Sequence, residues 1–518
     1  MENATSPLQS QHRDALDPCA LGAVELAARI ARGEVRAADA VEAYVARLEA
    51  VNPRLNALVV PRFAQARAEA RDVDRRRAAG EPLGPLAGVP VTIKESLALA
   101  GTPSSFGVDV APWKDQLAAE DELHVARLRA AGAIVLGKTN VGQLLFMVET
   151  DNPLYGRTNH PQSAERSPGG SSGGEGALLA AQASALGLGT DLGGSVRVPA
   201  AFCGVVALKP TTGRCDDLGR GSCPVGQRTI ASQVGVLGRS VADVACGLEV
   251  VNGGARPALT GTLAPAMPLL DPQAIDLSRL RVAWFDDDGT FRPAPAARRA
   301  VAEAVATLEK RGARTTRFTP PDPEQARNLF YGLLAADGGA GIRRTLGRGK
   351  RDGRIAKMVM AMQSKGLVDV ILSASGRGRL KREIVANYGH RDTDHHWRLV
   401  EAALEYRRRF ERAFAEHDVL LCPPTPLPAF RHGATEELIV PGIYTTLFNV
   451  LGWPAGVVPV THVRADEESD RPPSRDKMDL AARETERGSA GLPMGVQVAA
   501  RPWREDLVLA AMAALERR

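Results

Sequence analysis

Cysteine is scarce in this sequence: six residues in 518, at Cys19, Cys203, Cys215, Cys223, Cys246 and Cys422, with no CxxC pair and no other zinc-type spacing. A reduced cytoplasm fits that usage. Excess charge is scarce too. A formal net charge of +5 over this length is too small for a polycation that holds nucleic acid by neutralising phosphates, so no nucleic-acid partner is expected. Long hydrophobic runs are nearly missing. The longest uncharged stretch, Ile439 to Thr461, contains Pro441, Pro454 and Pro459 and is expected to be a buried strand and loop instead of a membrane span. The opening MENATSPLQSQHRDALDP has neither a basic n-region nor an apolar h-region, so no secretory signal is expected. None of the nine histidines stands at metalloprotease spacing, and Asp394, His395 and His396 read as a polar helix start; no metal and no cofactor is expected.

What is present is an ordinary soluble composition, 44% hydrophobic and 24% charged, with enough apolar residues for a large core. The first 85 residues read as a helical scaffold: Val41, Tyr44, Val45 and Leu48 follow the helical repeat, and Gly33 and Gly80 sit where helices would end. From about Leu86, short apolar runs (Val89 to Ile93, Ala133 to Leu136) alternate with helical stretches such as Asp121 to Ala131. This alternation predicts an α/β fold in one large domain, a mixed twisted central sheet covered by helices on both faces. In the second half, strands are expected at Leu280 to Phe285, Val419 to Cys422 and Met494 to Ala499. Helices are expected at Pro295 to Arg311, Trp397 to Phe414 and Glu505 to Arg517. The charge-dense run Arg464 to Ser489 reads as an exposed loop.

The segment Ser167 to Thr211 holds two Gly-Gly-Ser turns 24 residues apart, with a small-residue helical stretch, Glu175 to Ala185, between them. It lacks GxxxxGK[ST] and GxGxxG, so a phosphate cradle is poorly supported. It is also no G-x-S-x-G nucleophile elbow, because Val196 and Arg197 follow Ser195. On composition alone, a structural glycine-rich loop stands level with a reactive one.

The run SPGGSSGGEGALLAAQASALGLGTDLGGSVRVPAAFCG closely resembles the defining motif of the amidase signature family. The upstream GVPVTIKES (Gly88 to Ser96) resembles that family's lysine-bearing strand, and GVLGRSVAD (Gly235 to Asp243) its downstream helix entry. The resemblance covers residues 86–250 strongly and implies an amidase-signature core there. It implies that Ser195 is the nucleophile, that Ser171, after a cis peptide bond, is a bridging serine, and that Lys94 is the base. An unperturbed lysine is protonated at neutral pH, so this role requires desolvation. The backbone N–H groups of Leu192, Gly193, Gly194 and Ser195 would converge on a tetrahedral oxyanion. Asp191 and Arg197 would hold that loop in shape, with Ser172 as a turn residue. Cys203 reads as a small buried residue.

The C-terminal stretches YTTLFNVLGWPAGVVPVTHV and GLPMGVQVAARPW, in residues 436–518, resemble the fatty acid amide hydrolase branch. That branch implies an amide substrate with a hydrophobic acyl group, for which Leu145, Phe146, Ile443, Leu447 and Phe448 are candidate lining residues, and it allows a homodimer. Residues 343–382 carry twelve Lys/Arg against two Asp around Ile355, Met358, Val359 and Met362. In position this patch resembles the family's membrane-facing cap; peripheral docking on anionic lipid and a solvated packing helix both remain open. The chain departs from the branch's best-known animal members in having no N-terminal membrane helix, and its cap residues match poorly. A short-chain or aryl-acetamide amidase, a tRNA-dependent amidotransferase subunit, and a catalytically silent scaffold remain as alternatives.

Overall fold

A computed structural model describes residues 16–111, 113–215, 227–253, 267–363, 385–387, 389–438 and 443–516. The strands, in chain order, are β1 (Leu58–Pro61), β2 (Pro90–Lys94), β3 (Ile134–Thr139), β4 (Asp151–Asn152), β5 (Gly156–Arg157), β6 (Leu186–Asp191) and β7 (Val206–Lys209). They continue with β8 (Gln233–Gly238), β9 (Arg281–Trp284), β10 (Arg314–Arg317), β11 (Val419–Cys422), β12 (Ala455–His462) and β13 (Pro493–Ala500). All but the β4–β5 ladder join one sheet in the order β1-β3-β2-β6-β8-β7-β12-β13-β11-β9-β10. Pairing is mixed: β2 runs parallel to β3 and β6, whereas β8 is antiparallel to both β6 and β7. The expected mixed α/β sheet flanked by helices is therefore present.

Burial explains why these segments are strands. Every residue of β2, β3, β6, β7, β8, β11 and β13 is buried, as expected of central strands covered on both faces. The edge strand β10, RTTR, is mostly exposed and charged, which discourages further pairing. The signature segment supplies β6 and β7. The C-terminal strand β12 pairs directly with β7 and β13 pairs with β12, so distant parts of the chain share one core.

Four expectations need correction. The N-terminal scaffold is not purely helical: between the helices Ala37–Leu55 and Phe63–Ala78 it contributes β1, because Leu58 and Val60 meet the otherwise open edge of β3. The small-residue helix spans Gly173–Ala180 and stops well short of Ala185, since Ala183 and Ala185 belong to the buried approach to β6. Within Ile439 to Thr461 the structure has the helix Ile443–Leu451 followed by β12; Pro454 falls between the two and Pro459 within the strand, so neither interrupts the helix, and residues 439–442 lie outside the described residues. The charged run 464–489 is not all loop but contains the helix Lys477–Glu486, capped by Asp476 and anchored by buried Met478 and Ala482. Among the described residues, no helix is long and apolar enough to cross a membrane.

Candidate active site

Parallel pairing of β2 with β6 brings their carboxyl ends together, the usual place for a site in an α/β sheet. Lys94 is the last residue of β2, and β6 ends at Asp191, immediately before Leu192-Gly193-Gly194-Ser195. Lys94 is fully buried. Its Nζ lies 2.8 Å from Ser171 Oγ, 2.8 Å from Thr190 Oγ1 and 3.3 Å from the Thr190 carbonyl oxygen. The Gly170–Ser171 peptide is cis. Ser172 N–H donates to the Ser195 carbonyl at 3.1 Å, so the two serine turns are joined through the backbone. Ser172 Oγ is buried with no hydrogen-bond partner among the described residues, so this residue supports the loops through its main chain. The helix Gly173–Ala180 follows the first turn and the helix Arg197–Cys203 the second.

The loop before Ser195 is held by a buried ion pair. Arg197 meets Asp191 at 3.0 Å through Nε and 2.9 Å through Nη2, with both side chains fully buried. The guanidinium also donates to the Thr445 carbonyl at 2.8 Å, Gln497 Oε1 at 2.7 Å and Asn449 Oδ1 at 2.6 Å. Burial pushes the Asp191 carboxyl up, yet the Arg197 guanidinium outweighs it and holds the group well below the usual carboxylate range. Gly194 adopts a φ of +121°, and a Cβ there would stand 2.3 Å from Thr445 Oγ1, so this position accepts only glycine without rearrangement.

One expected donor is placed differently. The Gly194 N–H is directed to Asp191 Oδ1 at 2.8 Å and Val196 N–H to Asp191 Oδ2 at 3.3 Å; the carboxylate thus draws a loop amide toward itself. Leu145 and Phe146 are half-buried, and Leu144 and Leu145 both have left-handed backbones, φ +54° and +62°. Such geometry is uncommon for branched side chains and marks a constrained segment. Leu447 and Phe448 lie in the core, and Ile443 opens the helix Ile443–Leu451. Of the basic patch 343–382, the helix Gly353–Gln363 is described and buries Ile355, Val359 and Met362; residues 364–384 lie outside the described residues.

Sequence reasoning passed over a second buried cluster. Glu175 is fully buried; its Oε1 accepts from Thr139 Oγ1 at 2.8 Å, and its Oε2 lies 2.6 Å from Thr92 Oγ1. Thr92 Oγ1 in turn meets Ser184 Oγ at 3.0 Å, and Ser184 Oγ–H donates to the Leu186 carbonyl at 2.8 Å. The three contacts from Glu175 to Leu186 require three protons, and Thr92 and Ser184 supply two. A protonated Glu175 carboxyl would supply the third, and burial drives the group in that direction. Burial pushes the Glu175 carboxyl up to about 8, against the opposing pull of Thr92, Thr139 and the nearby Lys94. A single acidic residue in the otherwise uncharged helix GGEGALLA was the available signal.

Comparison with known proteins places the family. The family model described as Amidase matches residues 39–509. The chain is 32% identical to fatty acid amide hydrolase 1 of Caenorhabditis elegans, covering 99% of this chain and 90% of that protein. It is 34% identical to indoleacetamide hydrolase of Bradyrhizobium diazoefficiens, covering 96% and 86% respectively. A solved fatty acid amide hydrolase structure superposes with a TM-score of 0.85 at 25% identity, over 96% of this chain and 85% of that one. With the family model spanning most of the chain and relatives matched almost end to end, the chain belongs to the amidase family and is an amide-cleaving hydrolase.

Proposed function

We propose that this enzyme cleaves amides of hydrophobic acyl groups through Ser195, with Ser171 as the proton relay and Lys94 as the base. The observation that carries the reading is the 2.8 Å contact between Lys94 Nζ and Ser171 Oγ in a fully buried setting, on a turn tied to Ser195. The relay requires Lys94 to arrive as a free amine, and burial of a lysine penalises its ammonium form. Ser195 Oγ attacks the carbonyl carbon while its proton passes to Ser171 and that of Ser171 to Lys94. The tetrahedral oxyanion is met by backbone N–H groups of the 192–195 loop other than that of Gly194, which Asp191 holds. When the C–N bond breaks, the proton returns through Ser171 to the departing nitrogen, because an unprotonated amide anion is a very poor leaving group. Water then cleaves the acyl-enzyme by the same relay and releases the acid.

Similarity to fatty acid amide hydrolase supports a lipid-like acyl chain, in which each buried CH₂ adds ~0.8 kcal/mol of binding. A second reading, an aryl- or short-chain acetamide amidase, is favoured by the comparable 34% identity to an indoleacetamide hydrolase. A series of primary amides of rising chain length separates the two: kcat/KM climbs with length under the first and is flat or falls under the second. The nucleophile is tested by fluorophosphonate labelling followed by intact mass and peptide mapping, and a label absent from Ser195 overturns the assignment. In this reading the enzyme is a cytoplasmic protein, possible as a homodimer, whose basic patch 343–382 makes peripheral contact with anionic lipid. Liposome sedimentation at low salt tests that contact, and absence of binding rejects it.

A further inference from the structure

Glu149 sits where three segments meet behind the Ser171 turn. Its carboxylate is buried and accepts from Gly433 N–H at 2.9 Å, Thr435 N–H at 2.9 Å and Arg354 Nη1 at 3.0 Å. Its own backbone presses on the turn: a Cβ at Gly170 would stand 2.7 Å from Glu149 N, Glu149 O and Met147 O. Nothing larger than glycine fits, and Gly170 immediately precedes Ser171. Displacement of Glu149 is therefore felt one residue from the relay hydroxyl.

Arg354 belongs to the basic helix Gly353–Gln363, and the strap before that helix is fastened to the same loop. Gln143 Nε2 donates to the Lys350 carbonyl at 2.9 Å, and Asp352 N–H donates to Gln143 Oε1 at 2.8 Å. Arg354 also pairs with Asp352 at 2.5 Å and Asp151 at 3.4 Å. Farther along the helix, Lys357 meets Glu436 at 2.6 Å, tying it to the 433–438 turn that Glu149 also holds. The loop between Gln143 and Glu149 includes the left-handed Leu145 and the half-buried Phe146, so any occupant of that region bears on the same strap.

We propose that Glu149 and Arg354 are a positioning pair that transmits the seating of the 350–363 segment to Ser171, so that the relay is aligned only when this segment is docked. The inference rests on the reading of Ser171 as relay. It assigns Glu149 no contact with substrate. Its effect is on the geometry of proton transfer, where misplacement by about 1 Å can lower a rate by ~10²-fold.

The experiment measures the second-order rate of fluorophosphonate labelling at Ser195, kcat and KM for a short amide, and the melting temperature of each sample. Arg354→Gln is expected to slow labelling about tenfold or more while KM stays within about twofold. Arg354→Lys, which keeps the charge but not the fork, recovers part of the rate. The double variant Glu149→Gln/Arg354→Gln is expected to label no more slowly than the slower single variant, as befits two members of one unit. Labelling of folded Arg354→Gln or Arg354→Lys protein at the wild-type rate overturns the pairing, as does a loss that only follows the unfolded fraction. A wild-type protein unlabelled at Ser195 rejects the relay reading, and the pairing with it.

Discussion

Glutamate 175 offers a quantitative test of the buried chemistry around Lys94. The perturbation is Glu175→Gln, which keeps the shape of the neutral acid and removes its titration. The carboxyl moves from an ordinary 4.5 to about 8 in the folded protein. At ~1.4 kcal/mol per pH unit, the folded state loses on the order of 5 kcal/mol relative to the unfolded chain across that interval. Because the folded-state value is raised, the contribution is fully present below the unfolded value and disappears as pH rises through the folded one. The stability of wild type minus that of the glutamine variant should fall by ~1.4 kcal/mol per unit between about pH 5 and about pH 8, then level off. Urea unfolding followed by tryptophan fluorescence, run in parallel on both proteins across this range, reads the difference. The infrared C=O band of a protonated carboxylic acid, present in wild type and missing in the variant, reads the same group without unfolding. A stability difference that stays constant with pH, or a wild-type spectrum at neutral pH identical to that of the variant in that band, refutes the neutral-acid assignment.

Other outcomes follow from the same geometry. Arg197→Met strands the Asp191 carboxylate in the core and is expected to destabilise by ~3–5 kcal/mol, read by chemical denaturation, while Asp191→Asn/Arg197→Met together are less harmful than the single change. Gly194→Ala drives a methyl into Thr445 and is expected to slow Ser195 acylation by ~10²-fold or more, on the scale of losing one oxyanion donor. Lys94→Met should abolish turnover near neutral pH, and retained activity would sink the relay. His124 is buried between Glu122, at 2.7 Å, and Cys215; burial opposes its charge, but these contacts raise its imidazole to about 10. His124→Gln should therefore destabilise most below about pH 6.5, with the deficit shrinking as pH approaches about 10.

The parts of the site that the sequence exposed are those whose chemistry is local. Lys94, Ser171, Asp191, Ser195 and Arg197 fall in two short motifs, whose resemblance to the amidase signature implied a relay and a braced loop. Asn449, Gln497 and Thr445 escaped notice because they reach Arg197 from about 250 to 300 positions away, two from the helix Ile443–Leu451 and one from β13, through packing that no local pattern encodes. Thr92, Thr139 and Ser184 were invisible for a related reason: a threonine in a strand reads as β propensity until a neighbouring helix puts a carboxyl above it. Long periodic elements such as the helix Thr393–Ala413 were readable, whereas β1 was not, because four residues become a strand only when an edge awaits them.

Arg197 donates hydrogen bonds to Thr445, Asn449 and Gln497, the last of them on β13. A ribosome that has just added Arg197 still has 300 residues to translate before Gln497 completes the bracing of the loop. A growing chain therefore carries the whole motif long before the last partner of Arg197 has been made.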